Sequence, residues 1–352
     1  MASEAYVNTI DLRSDCVTLP TPAMLGAISE ADLGDDVFGE DPTVNCLEAV
    51  AAERVGKEDA LFVPSGTMGN LAALLTHCDR GDEAIMGDQA HTFLFEAGGS
   101  AALGGIHPRT IPNQADGTLD LADIEGAVRP DDVHHPRTRV ICLENTHNRC
   151  GGVPLKPKYV DAVGELAKKH GLVVHLDGAR VFNAAVALGV EPRDLTRSVD
   201  SVQFCLSKGL SAPVGSMLCG TRGFVGEARR WRKMLGGGMR QAGVLAAAGL
   251  VALDEMVDRL AEDHANARRL AEGLTVLDAF HVDLGSVQTN IVVWRLKGDA
   301  TNTSSVAQML AERGVKVLPF GGPMLRAVTH RGVTAKDIEE ALDVFSEVTE
   351  RH

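Results

Sequence analysis

From about residue 45 to residue 220 the chain alternates between two hydrophobic periods. Stretches with apolar residues every three or four positions give way to short, almost wholly apolar runs rich in β-branched residues. That alternation predicts a mostly parallel sheet with helices on both faces. The predicted strands are ALFV (60–63), EAIMG (83–87), RVICLE (139–144), LVVHLD (172–177), SVQFCL (201–206) and GSMLCG (215–220). Most are too apolar for a sheet with one wet face and suit strands covered on both. Helices are predicted at 68–78 and 157–170; the second begins with proline and ends at Gly171, the usual asymmetry of helix ends.

After Leu253 the pattern changes. A long amphipathic helix is predicted over 254–274, followed by a strand in TNIVVWRL, a helix around 306–313, short strands in VKVLPF and LRAVTH, and a last helix from Ala335. This reads as a separate α+β unit, with the boundary near residue 254. The apolar run 242–253 is about a dozen residues, short of the ~20 that span a bilayer, and is predicted to be a buried helix.

Composition narrows the function classes. A length of 352 residues favours two domains, and 45% hydrophobic with 23% charged residues describes a folded chain rather than a disordered one. A formal charge of −14 repels phosphate backbones and anionic lipid, so neither nucleic acid nor a membrane is an expected partner. The seven cysteines are scattered, odd in number and without a CxxC pair, which argues against a disulfide framework or a structural zinc site and for a reducing compartment. The opening MASEAYVNTIDLRSD carries acids and no basic-then-apolar signal, so a cytoplasmic location is expected; a mitochondrial address stays open for a trimmed N-terminus.

Four features sit where an open α/β sheet keeps its ligands, beyond the carboxyl ends of strands. Pro64-Ser65-Gly66-Thr67-Met68-Gly69-Asn70 follows a strand and opens a helix, which suits either a phosphate or an ordinary Ser/Thr N-cap. Asp177 ends an apolar strand; it is either paired with nearby Arg180 or a cap, or it is functional. Lys208 follows the strand SVQFCL, and either snorkels to solvent or serves as an imine-forming amine with a pKa lowered by burial. The fourth is a set of histidines, His91, His134, His135 and His147, each a candidate stacking partner or base. No HxxxH or HExxH spacing occurs, and no metal site is expected. A phosphate loop, then a strand-end acid, then a strand-end lysine is the order expected for pyridoxal 5′-phosphate, which needs an anion cradle, a carboxylate on its ring nitrogen and a lysine. Neither GxGxxG nor GxxxxGK[ST] is present to support NAD or ATP.

At these residues the sequence resembles the low-specificity L-threonine aldolases, of the aspartate-aminotransferase fold (fold type I). The strings that carry the resemblance are IDLRSD (10–15), GDDVFGEDPTVN (34–45), LFVPSGTMGN (61–70), LENTHNRCGG (143–152), HLDGARVFNAAVA (175–187), CLSKG (205–209), APVGS (212–216), RKMLGGGMRQAGVLAAAG (232–249) and RAVTH (326–330). They span essentially the whole chain. The resemblance implies an N-terminal segment (1–20) contributing to the site, a large cofactor-binding domain (21–253) and a small C-terminal domain (254–352). It further implies Lys208 as the Schiff-base lysine, with Ser207 beside it, Asp177 on the pyridine nitrogen, Arg180 near the phenolic oxygen, Gly66 and Thr67 at the phosphate, and His91 stacked on the ring. Ser14 and Arg326 would grip the substrate carboxylate, and His134 would lie near the β-hydroxyl. Lys233 and Arg240 would reach the phosphate region across a subunit boundary, in a homotetramer.

The implied reaction is cleavage of L-threonine or L-allo-threonine to glycine and acetaldehyde. His91 is the first candidate for the base, with His134 and Glu96 as competitors. Alternatives are a lyase acting on another β-hydroxy amino acid such as phenylserine, or a catalytically silent member. Three positions depart from the family pattern: Phe38 stands where Tyr is usual, Cys16 where Thr is usual, and His135 where Phe is usual.

Overall fold

The computed structural model describes residues 9–297 and 302–349. The first eight positions of the expected N-terminal segment, and 298–301 and 350–352 of the expected C-terminal unit, lie outside the described residues. The strands are β1 (Ile10–Asp11), β2 (Asp59–Val63), β3 (Glu83–Gly87), β4 (His107–Ile111), β5 (Thr138–Glu144), β6 (Val173–Asp177), β7 (Ser201–Cys205), β8 (Ser216–Gly220), β9 (Phe280–Val282), β10 (Ile291–Leu296), β11 (Val315–Lys316), β12 (Leu318–Gly321) and β13 (Met324–Val328).

Seven of them form one sheet in the order β2-β8-β7-β6-β5-β3-β4. Strands β4, β3, β5, β6 and β7 run parallel, and β8 is antiparallel to both its neighbours. The reversal has a simple cause. The connection from Cys205 to Ser216 is too short for a helical crossover, which a parallel pair would need, so β8 turns back along β7. The buried strands β3, β7 and β8 expose no residue, as their unbroken apolar character predicts. Strand β4 is absent from the sequence-based reading: it is a half-exposed edge strand, HPRTI, without an apolar run.

Helices pack on this sheet through the core that runs from Met24 to Leu260. The helix Gly66–His77 starts from an N-cap at Ser65 and lays Leu71, Leu74 and Leu75 on the sheet. Pro157–His170 forms as predicted and stops at Gly171, whose φ of +66° is the left-handed conformation that glycine takes without strain. No helix among the described residues is long and apolar enough to cross a membrane.

A second core holds Ile10, Leu12 and residues from Ala267 to Val348 around the antiparallel sheet β12-β13-β10-β9. The N-terminal strand belongs here: β1 pairs with β11 in parallel. The buried helix predicted over 242–253 is Gly243–Glu255, and the amphipathic helix predicted over 254–274 begins later and spans Leu260–Thr275. The chain turns at 256–259, so that Met256 and Leu260 both bury in the first core while Ala267, Leu270 and Leu274 bury in the second. At the centre of that second core Phe345 meets Trp294 and Phe280 edge-to-face, with ring centroids 5.6 and 5.9 Å away. Replacing Phe345 with Ala should cost about 3–5 kcal/mol of stability, measured as a lower denaturant midpoint; an unchanged midpoint would contradict this packing.

Candidate active site

The carboxyl edge of the large sheet gathers the chemistry. Beyond β2 lies the Ser65–Gly66 loop, beyond β3 His91, at the ends of β5 and β6 Glu144 and Asp177, and beyond β7 Lys208. Two adjoining cavities open there. The inner one, about 270 Å³, is lined by Ser65, Gly66, Thr67, Asn70, Glu96, Asp177, Gln203 and Ser207. The outer one, about 490 Å³, is lined by Ser14, Asn148, Arg149, Arg180, Phe320 and Arg326. Cys16, His91 and Lys208 line both, so the amine and the imidazole stand at the partition.

Each wall has a local cause. Gly66 must be glycine because a Cβ there would fall 2.9 Å from the Cys205 sulfur. That close approach brings the helix N-terminus, with its free N–H groups, to the cavity. Asp177 is 2% exposed. Its Oδ2 accepts from Asn70 Nδ2 at 3.0 Å and its Oδ1 from the Ala179 N–H at 3.1 Å. Among the described residues no cation pairs with it. The ion pair with Arg180 that the sequence leaves open does not form, because Arg180 is taken: its Nε and Nη2 donate to Asp15 Oδ2 and Oδ1, both at 2.7 Å, in a buried fork. Burial alone would raise the Asp15 pKa, but Arg180 and Lys208 carry it well below the usual carboxylate range.

Lys208 has no carboxylate within salt-bridge distance among the described residues. The lowered pKa expected from sequence does not hold: burial pushes it down, but the neighbouring Cys205, Asp15 and Asp177 side chains outweigh burial and the net direction is up. His91 Nδ1 lies 3.0 Å from Glu96 Oε1, and its backbone N–H donates to Glu144 Oε2 at 2.8 Å. Burial would lower the imidazole pKa; the hydrogen bond to Glu96 and the charges of Asp177, Glu96 and Glu144 raise it. Donor atoms of His91, Glu96 and Asp177 lie within 4.8 Å of one another.

In the outer cavity Arg326 Nη1 donates to Asn148 Oδ1 at 2.8 Å and Nη2 to the Arg13 carbonyl at 3.0 Å, while its buried Nε has no partner. Burial, with Arg180 nearby, brings its pKa down to about 10, still a cation at neutral pH. Arg149 stands over the Phe320 ring at 4.2 Å.

Most of the sequence-predicted residues therefore converge: Ser14, Gly66, Thr67, His91, Asp177, Arg180, Ser207, Lys208 and Arg326 all line one of the two cavities. His134 does not. It is exposed, on the loop before β5, with Nδ1 2.7 Å from Asp132 Oδ1, so it is not near the β-hydroxyl position of its own chain. Lys233 lines a separate basic cavity with Arg229, Arg230 and Arg232, and Arg240 pairs with Asp35 at 3.0 Å over the exposed Phe38 ring. His147 is buried in the core, its Nε2 3.8 Å from Glu144. Sequence reasoning missed Asp15, Asn70, Glu144, Asn148 and Arg149, although all five lie in the strings quoted for the resemblance or beside residues assigned from it.

An anion cradle at a helix N-terminus, a buried carboxylate lacking a cation across the cavity, and a lysine between them are the donor set that pyridoxal 5′-phosphate requires, and the residues fit it. The class is a pyridoxal-phosphate enzyme of fold type I. Solved structures agree at the level of fold: the Leishmania major threonine aldolase covers 97% of this chain and 99% of its own at a TM-score of 0.83 and 21% identity. The Sphingomonas wittichii serine palmitoyltransferase has a TM-score of 0.77 at 20% identity, covering 97% of this chain and 88% of its own. The family model described as "Beta-eliminating lyase" matches residues 11–297. A probable low-specificity L-threonine aldolase of Arabidopsis thaliana is 49% identical over 99% of both chains, and the low specificity L-threonine aldolase of Escherichia coli (strain K12) is 48% identical over 94% of this chain and 96% of its own. The chain belongs to the beta-eliminating lyase family, among its low-specificity L-threonine aldolases.

Asp15→Asn should leave Arg180 as an uncompensated buried charge and cost about 3–5 kcal/mol at neutral pH. Because the folded pKa of Asp15 is depressed, its contribution is complete above the unfolded carboxylate pKa and is lost as pH falls through the folded value. The gap between parent and variant in thermal midpoint should therefore narrow on acidification; a gap that stays constant would contradict the pairing.

Proposed function

We propose that this protein cleaves the Cα–Cβ bond of L-threonine and L-allo-threonine, giving glycine and acetaldehyde. The observation that carries the reading is the placement of Lys208 and His91 on the partition between an inner cavity built for the cofactor and an outer one built for an amino acid. Pyridoxal 5′-phosphate, when bound, supplies the electron sink that takes up the pair left at Cα as the bond breaks. Gly66, Thr67 and Ser207 would hold its phosphate, Asp177 its ring nitrogen, and Lys208 its carbonyl carbon.

The chain's own residues do the rest. Arg326 offers a planar guanidinium with no acid partner among the described residues, and Ser14 a hydroxyl, to the substrate carboxylate. Arg180 stays charged and fixed by Asp15 beside Lys208. His91 presents Nδ1 to Glu96, which leaves Nε2 to accept a proton from the β-hydroxyl directly or through water. The raised pKa makes that nitrogen a stronger base. His134, exposed and tied to Asp132, has no equivalent support.

Lys233 and Arg240 are read as serving a neighbouring copy's phosphate region in a homotetramer. Their separation from the inner cavity of their own chain supports this, as do the exposed Val37, Phe38 and Met234 beside them. Free thiols at all seven cysteines support a reducing, cytoplasmic setting. A second reading has a specific observation behind it. Phe95, Leu318, Pro319 and Phe320 give the outer cavity apolar walls, which suits a bulkier Cβ substituent such as that of phenylserine.

With L-threonine as substrate the products should be acetaldehyde and glycine; ammonia and a keto acid would overturn the reading. Lys208→Ala should abolish turnover. His91→Asn should lower kcat by about 10²–10⁴-fold if the imidazole is the base, and a decrease below about tenfold would assign His91 to stacking alone.

A further inference from the structure

Behind Asp177 lies a chain of hydrogen bonds that the roles assigned above do not use. Asn70 Nδ2 is 3.0 Å from Asp177 Oδ2 and 2.8 Å from Glu96 Oε1. Asn70 Oδ1 is 3.0 Å from His175 Nε2, His175 Nδ1 is 2.8 Å from Ser201 Oγ, and Ser201 Oγ is 2.7 Å from His77 Nε2. Asn70, His175 and Ser201 are each 1% exposed or less, so water does not compete for these bonds.

The proton positions in this chain follow from its ends. Two carboxylates face the Asn70 nitrogen, so that nitrogen donates to both and the amide cannot flip without setting its oxygen against them. The Asn70 oxygen can only accept, so His175 donates from Nε2 and accepts at Nδ1. Ser201 then gives its hydroxyl proton to Nδ1 and accepts from the His77 Nε2–H. Both imidazoles are neutral in this arrangement, which agrees with burial lowering the His175 pKa to about 3 and the His77 pKa to about 4. Every donor points toward the two carboxylates.

The consequence is a link between two functions. Asp177 would face the cofactor ring nitrogen, while Glu96, close by, is the partner of His91. One amide holds both. We propose that Asn70, locked in a single orientation by His175, Ser201 and His77, is the positioning residue that sets Asp177 and the Glu96–His91 pair together for the cofactor. This rests on the cofactor reading given above and adds to it the group that fixes the geometry of the two acids. Two features of the sequence carry the signal: Asn70 is the single strongly polar residue in the run GNLAALL, and His175 interrupts an otherwise apolar strand.

The test uses the full-length protein loaded with pyridoxal 5′-phosphate, and reads cofactor dissociation constant, the visible circular dichroism of the bound cofactor, and kcat and KM for L-threonine. Leaving Asp177 Oδ2 without its donor, and Glu96 Oε1 with His91 alone, should weaken cofactor binding about tenfold in Asn70→Ala and lower kcat by about 10- to 100-fold. KM should change by less than about threefold, because Ser14 and Arg326 are untouched, and the circular dichroism band should change in shape or sign. His175→Phe, which removes the donor to Asn70, should shift the same readouts in the same direction. His175→Gln, which restores an amide N–H near the Nε2 position, should return them toward the parent. Should Asn70→Ala fail to fold, Ser201→Ala, which deletes a single oxygen, is read by the same criteria. Parent-like cofactor affinity and dichroism in a folded Asn70→Ala, or in Ser201→Ala in its place, overturn the proposal, as does a His175→Gln no better than His175→Phe. A parent chain that binds no cofactor would instead overturn the reading on which the proposal rests.

Discussion

Burying a carboxylate without a neighbouring cation costs free energy, and in this chain the cost is borne at Asp177. The arginine three residues on, the obvious partner, is drawn away by Asp15, which offers both oxygens in a fork that a lone acid in the strand could not match. Among the described residues, Asp177 is left with neutral donors, the Asn70 amide and the Ala179 N–H. A site so arranged favours a positively charged nitrogen at the open side of the carboxylate. The parallel sheet then dictates the rest of the layout: adjacent strands end at one edge, so the helix start at Ser65–Gly66, two acids and the lysine arrive on the same side of the molecule without any long-range search.

The Asp15–Arg180 pair also ties the units together. Asp15 comes from the N-terminal segment, Arg180 follows β6 of the large sheet, and Asn290, from the small unit, donates to Asp15 Oδ2 at 3.1 Å. Arg326 of β13 reaches the Arg13 carbonyl in the same segment. The N-terminal strand is part of the small unit's core through β1 and β11, yet its next few residues carry Ser14, Asp15 and Cys16 to the edge of the large sheet. Relative motion of the two units would therefore act directly on the outer cavity.

Much of this is legible in the sequence, and the exceptions have physical reasons. Strands β2, β3 and β5 to β8 are found because buried strands are continuous apolar runs; β4 escapes because an edge strand can be polar. The sequence pattern separates a buried helix at 242–253 from an amphipathic one at 254–274 but puts the break too early; the turn falls at 256–259, whose Met256 buries in the first core like the apolar residues of the helix before it. Asp177 and Lys208 stand out as charges beside apolar strands. The direction of the Lys208 pKa does not, since burial and nearby acids oppose each other and their balance depends on distance. Asp15 and Asn70 look like ordinary loop and cap residues until folding buries them. His134 sits just before a strand in sequence, but its side chain is exposed, bonded to Asp132, and lines neither cavity of its own chain.

In the proposed site, Asp177, the Ser65–Gly66 loop and Lys208 together hold pyridoxal 5′-phosphate on the Lys208 amine. Borohydride reduction of the loaded protein, followed by peptide mass spectrometry, tests this directly. A phosphopyridoxyl group is expected on Lys208 and on no other lysine. A reduced adduct elsewhere, or an unmodified Lys208 in protein that has bound the cofactor, would contradict it.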